Sequence, residues 1–245
     1  MSERSRKPVR ASGVRAAGVE FGPVTVVLED EAITVLPEAS EANAIRLTLS
    51  HVEAVSVASG RLEIVLRDGR IASIACDDAE SLRDELLARC RDLPELTRTL
   101  RAFGSRRRQH GTRDSAAAEQ QQFFAPLLAA RVEAMRGNSF ASSVGAFDAR
   151  RLGADFHRIL RALVATRYPE AGASRRALEA ELTDLTEPLD VALVALGEAA
   201  RELQRDADDL RRWHIWSERL IAAFETADRV WMTLDAALDA PVWQP

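Results

Sequence analysis

Gly137-Asn138-Ser139-Phe140-Ala141 approximates the elbow that presents a nucleophilic serine, with alanine in the last place. That elbow works at a strand-to-helix turn with a base nearby. Here it follows a helical pattern, so it reads as a loop joining two helices. The four histidines, His51, His110, His157 and His214, pair neither with one another nor with a cysteine at metal-ligand spacing. Asp155 and His157 are too close in sequence to face one ion from a helix. Glu198/Glu202 and Asp206/Asp209 do share a helix face at i,i+4 and i,i+3. Acid–base work would need one of each pair buried, and a solvated acidic face accounts for them more simply. The chain has neither a Walker loop nor a GxGxxG turn. Cys76 and Cys90 are too few for a zinc site or a disulfide framework and read as two free thiols. The residues therefore predict no enzyme, no metal and no cofactor.

Residues suited to binding remain. Arg101, Arg106, Arg107, Arg108 and Arg113 form one concentrated cationic run with His110, and no acid lies between Leu96 and Arg113. Aromatic residues for stacking bases are missing apart from Phe103, so the run reads first as a solvated linker. Its alternatives are contact with the chain's own acidic helix or a partner, and electrostatic binding of nucleic acid or an anionic membrane surface. Lys7 is the only lysine in an alanine-rich chain. That pairing points to base composition of the coding sequence and discounts arginine richness itself. Trp213, Trp216, Phe224 and Trp231 fall near one face of the last helical stretch, and Trp243 stands in a proline-flanked tail. These aromatics suit either core packing or anchoring a partner.

The elements that must position these residues fall into two halves. Apolar runs at 24–28, 32–36, 44–49, 51–57, 62–66 and 71–76 alternate with tight-turn signals and predict antiparallel strands. Asp68-Gly69 is the strongest hairpin signal, predicting positive φ at both positions. Ser59-Gly60 and Glu29-Asp30-Glu31 mark further turns, and VRAAGVEF supplies a seventh strand. Ile45, Leu47 and Leu49 share one face and Arg46 and Thr48 the other, so one side of the sheet is covered and one is wet. From Asp78 the period changes: Leu82, Leu86, Leu87 and Cys90 make a helical stripe over 78–91.

Seven antiparallel strands followed by one amphipathic helix resemble the pleckstrin-homology-like superfold, over residues 13–92. The resemblance implies a bent β-sandwich or barrel with its open end closed by the helix. The closing helix here has no tryptophan, and the first turn, Glu20-Phe21-Gly22-Pro23, carries no cation. Phosphoinositide binding is therefore not expected.

Beyond the polar segment 104–115 everything reads helical: 116–136, a break at RGNSFASSVG, 147–167, and a stop at Tyr168-Pro169. Leu182, Leu189, Leu196, Leu203 and Leu210 recur every seven residues, with a second apolar register beside them, which suits a helical bundle. Thr186-Glu187-Pro188 reads as a helix restart. An unbroken helix from Glu187 to Leu238 would be roughly 78 Å long at ~1.5 Å per residue. It must either bend back near Asp206 or be covered by another chain. The expected fold is thus α+β: a disordered tail over 1–12, a β domain with its closing helix over 13–103, a basic linker over 104–115, a helical bundle over 116–240 and a tail over 241–245.

Charge limits the partners. Residues 1–113 hold 18 basic and 17 acidic groups, whereas from Ala177 onward the count is 6 against 15. So acidic an arm is repelled by nucleic acid and anionic lipid. The expected function is a non-catalytic protein-interaction or scaffold protein whose partner is another protein. No apolar run approaches the ~20 residues of a bilayer span, and MSERSRKPVRASG lacks the apolar stretch of a secretory signal. The expected location is the cytoplasm. A break near Asp206 favours a monomer over a homodimer.

Overall fold

The computed structural model describes residues 8–16, 19–38, 44–92, 96, 98–99, 114–170 and 172–239, without the side chains of 19, 114–122, 157, 167 and 238–239. The chain divides into two compact units, Met1–Pro94 with Asp208–Trp213, and Glu95–Ala207 with His214–Pro245.

The first unit is an N-terminal β-sheet region. Its strands are β1 (Val9–Ala11), β2 (Gly13–Ala16), β3 (Val19–Phe21), β4 (Val24–Leu28), β5 (Ala32–Pro37), β6 (Ile45–Thr48), β7 (Val52–Ala58), β8 (Arg61–Leu66) and β9 (Ile71–Ala75). Helix α1 (Ala79–Arg91) follows and packs on β7 and β8. The strands form a four-stranded sheet in the order β1-β4-β5-β6 and a five-stranded sheet in the order β3-β2-β9-β8-β7. All pairings are antiparallel. Period-two burial is clearest in β4, where Val24, Val26 and Leu28 point inward, and in β8, where Leu62, Ile64 and Leu66 do.

The expectation of a barrel closed by one helix is wrong. Each sheet ends in edge strands, β1 and β6 in one and β3 and β7 in the other, and neither returns on itself. The reason lies in short strands: VRAAGVEF is not one strand but the hairpin β2–β3, with Ala16 opposite Val19. Residues 9–11, expected in a disordered tail, instead form β1 against Val24–Val26.

Turn chemistry also divides differently. Ser59 and Gly60 both have positive φ, 51° and 72°, as a type I′ turn requires. At Asp68-Gly69 only Gly69 does, at 80°. Gly69 N–H donates to Leu66 O at 2.8 Å and Leu66 N–H to Arg70 O at 2.9 Å. That longer turn, with a left-handed glycine, is a G1-bulge hairpin. Asp68 stabilises it by accepting from Arg70 N–H at 3.1 Å and Arg70 Nε at 2.7 Å.

The segment Asp208–Trp213 completes this unit. Asp209 forms an antiparallel bridge with Ala54 of β7. Arg211 Nη1 lies 3.9 Å from Glu53 Oε1, and Arg91 Nη2 lies 3.5 Å from Asp208 Oδ1.

The second unit is helical, built on α2 (Asp114–Met135), α3 (Ser139–Arg167), α4 (Ala173–Arg205) and α5 (Leu210–Asp239), the last of which begins in the segment just described. The predicted break at RGNSFASSVG shrinks to Arg136–Asn138, because Asn138 caps α3 by accepting from Ala141 N–H at 3.2 Å. The restart predicted at Thr186-Glu187-Pro188 does not occur: Pro188 lies inside a continuous α4. Pro188 and Asp184 are both exposed, so the carbonyl that the missing N–H leaves free is on the side of the helix that water reaches. The break near Asp206 is present. Helix α4 ends at Arg205, Asp206 turns extended at φ −151°, and Asp209 caps α5 by accepting from Arg211 N–H at 2.9 Å. No described helix is long and apolar enough to cross a membrane.

Candidate interaction surface

The aromatic residues singled out in the sequence are interior. Trp213 and Trp216 are 0% exposed, and Phe224 and Trp231 are 1% exposed. Two of them are held by phenylalanines from distant helices: Phe124 stacks on Phe224 at 5.8 Å, and Phe156 meets Trp231 edge-on at 5.5 Å. Phe123 joins the cluster at 4.8 Å from Phe156. The stripe on α5 is therefore filled from within the chain, as the turn at Asp206 permits. Trp243 and the cationic run Arg101, Arg106, Arg107, Arg108 and Arg113 lie outside the described residues.

Burial is the leading cause of the shift at three titratable groups of the β unit. Burial pushes the Cys90 thiol up to about 12, against a smaller opposing pull from Arg91. Burial also raises Cys76. Raised in this way, neither thiol gains thiolate character near neutral pH. Burial pulls the Arg91 guanidinium down, opposed by the Asp208 carboxylate. Among the described residues no group of three or more His, Cys, Asp or Glu could hold a metal ion. A recess lined by Leu160, Arg161, Val164, Glu179, Leu182 and Thr183 holds about 10 Å³ of free space, at the lower limit for one water.

The unusual surface lies on the helical unit and was not foreseen. Helix α3 packs between α2 and α4, and the aromatic contact of Phe156 with Trp231 places α5 on it as well. The inward face of its first half is small: Ser142, Ala146 and Ala149 are each 0% exposed. A Cβ added at Gly145 would lie 2.9 Å from Ala130 Cβ and 3.0 Å from Pro126 O. Helices that approach this closely leave no room between them for large side chains. The large apolar residues of this half are accordingly turned outward. Phe140 is 65% exposed, Val144 44% and Phe147 63%, at the i, i+4, i+7 spacing of one helix face.

The outward face changes character along α3. Past Phe147 it carries Arg151, Arg158 and Arg161, all exposed. Asp155 lies 3.5 Å from Arg158.

The neighbouring α4 runs antiparallel beside it. Ser143 Oγ is 3.2 Å from Gln204 Oε1, and a Cβ at Gly153 would meet Leu193. Its outward face presents Val191, 65% exposed, and Val194, 39% exposed. Asp184, Glu187 and Glu198 flank them, all exposed, and no cation occurs between Arg176 and Arg201. With Val132 on α2, six of the nine large apolar residues exposed among those described lie on α2, α3 and α4. Such clustering marks a contact surface more than scattered exposure does.

The signal for this face was present in the spacing of Phe140, Val144 and Phe147. It was obscured because Gly137, Asn138 and the serines around Phe140 read as loop formers. Comparison with known proteins adds nothing here: no protein-family model, curated protein or solved structure matches the chain.

Proposed function

We propose that this protein is a non-catalytic interaction or scaffold protein that binds another protein through the outward face of α3 and α4. The carrying observation is the inverted helix α3, with small residues inside and Phe140, Val144 and Phe147 outside. Outward phenylalanines are desolvation energy held for a contact: fully burying one such side chain is worth about 1.5–3 kcal/mol. An anionic membrane fits this surface less well, because Asp184, Glu187 and Glu198 of α4 would be drawn toward the headgroups together with the arginines.

The β unit, on this reading, is a second binding module of pleckstrin-homology-like type. Its support is chain order. The pairs β1/β2 and β3/β4 each run from one sheet into the other; taken as two bent strands, they reduce the nine short strands before α1 to seven. The resemblance is to an open, two-sheet arrangement.

Photo-crosslinking tests the proposal. The photoreactive analogue p-benzoylphenylalanine in place of Phe147 should give discrete protein adducts in cells. The same analogue in place of Met232, exposed on α5, should not. Equal adducts from both positions, or turnover of a substrate abolished by a single pocket variant, would refute it.

A further inference from the structure

We infer that the partner of the α3–α4 face is a second copy of this chain, with α3 of each protomer lying over α4 of the other. The inference rests on that face being a contact surface and adds the identity of what covers it.

Charge complementarity carries the argument. The outward face of α3 is apolar and then cationic, with Arg151, Arg158 and Arg161. The outward face of α4 is apolar at Val191 and Val194 and anionic at Asp184, Glu187 and Glu198. The two faces lie side by side on one chain, so the surface is complementary to itself. A two-fold axis along the helices sets cationic α3 on the partner's anionic α4, and by symmetry makes the same contact a second time. Setting α3 on α3 needs a two-fold axis across the helices, which would lay α4 antiparallel on α4 and bring Asp184 and Glu187 of one chain toward the acidic residues of the other.

Size agrees with a dimer of modest affinity. Helices of 29 and 33 residues are about 43 and 50 Å long at ~1.5 Å per residue. Two such helices about 10 Å apart offer roughly 900 Å², near the ~800 Å² that each partner gives to a standard interface. The apolar residues supply most of the attraction. Exposed ion pairs contribute little each, but they select which helix faces which. The turn at Asp206 that lets the chain cover its own tryptophans removes one reason for a dimer. The α3–α4 face is a different surface, which that turn leaves open.

Sedimentation equilibrium of the purified full chain, over a range of concentration, tests the inference with three proteins. Wild type should show a monomer–dimer equilibrium that weakens with added salt. An Arg158→Glu/Arg161→Glu variant and an Asp184→Arg/Glu187→Arg variant should each be at least tenfold weaker as dimers, with unchanged helix content. Mixing the two should restore association, because both contacts of the mixed dimer then pair opposite charges. A wild-type chain that stays monomeric throughout overturns the inference, while adducts from position 147 to other proteins would leave the interaction reading intact. A dimer unaffected by the α4 variant overturns the placement of α3 on α4. Monomer that binds phosphatidylserine vesicles, and loses that binding in the α3 variant, overturns it in favour of a membrane.

Discussion

Cys90 shows how completely a single residue's surroundings set its chemistry. Its thiol is fully buried and pushed up to about 12 from an ordinary 9.0. The folded state therefore holds this proton above pH 9, where the unfolded chain has released it. Stability must fall as pH rises from 9 toward 12, by up to about 1.4 kcal/mol per pH unit. Denaturant titrations across that window should show the slope, and Cys90→Ala should flatten it relative to wild type. Neither Cys90 nor Cys76 should react with a thiol reagent at pH 8 until the protein is unfolded. Gly145 is the steric counterpart. A Cβ there would meet Ala130 and a backbone oxygen at 3.0 Å or less, so Gly145→Val should destabilise the helical unit by about 1–3 kcal/mol, read as a lower denaturation midpoint. Of these two residues the sequence disclosed only one. A buried free thiol is the ordinary reading of Cys90, whereas the need for glycine at 145 depends on Ala130 and Pro126 of another helix.

Among the elements, the strands were the most legible. Their ends are written in local turn residues such as Ser59-Gly60, and their faces in period-two alternation, as in β4 and β8. The closure of the sheets was not legible, since it depends on which strands find partners far along the chain. Helix boundaries failed where a cap or a proline could be read two ways. Asn138 looks like a loop former but caps α3. Asn138→Ala should therefore cost about 0.5–2 kcal/mol, measured as a shift in denaturation midpoint. Pro188 looks like a start yet is tolerated inside α4. Seven-residue leucine spacing correctly placed the inner face of α4, where Leu182, Leu189, Leu196 and Leu203 are buried. It could not reveal the first half of α3, whose inner face, with Ser142, Ala146 and Ala149, is made of residues too small to register as a hydrophobic stripe.

For the molecule as a whole, the tryptophans take one of the two places the sequence left open to them, and the outward phenylalanines take a place it did not foresee. Trp213, Trp216, Phe224 and Trp231 suited either core packing or partner contact and are interior. Phe140 and Phe147 were read as belonging to a loop or an inner face and are exposed. Both outcomes follow from close helix packing: where α2 and α3 touch through glycine and alanine, bulky residues must lie outside, and where α5 joins them it needs aromatic rings. The central claim is that the outward face of α3 and α4 is covered in use. Thiol labelling of a Val144→Cys variant tests it most directly, because the native cysteines are buried and give no background. With a membrane-permeant maleimide, position 144 should label fast in dilute purified protein and at least several-fold more slowly inside cells. Equal labelling rates in the two settings, after correction by an exposed cysteine placed at Met232, would contradict the account.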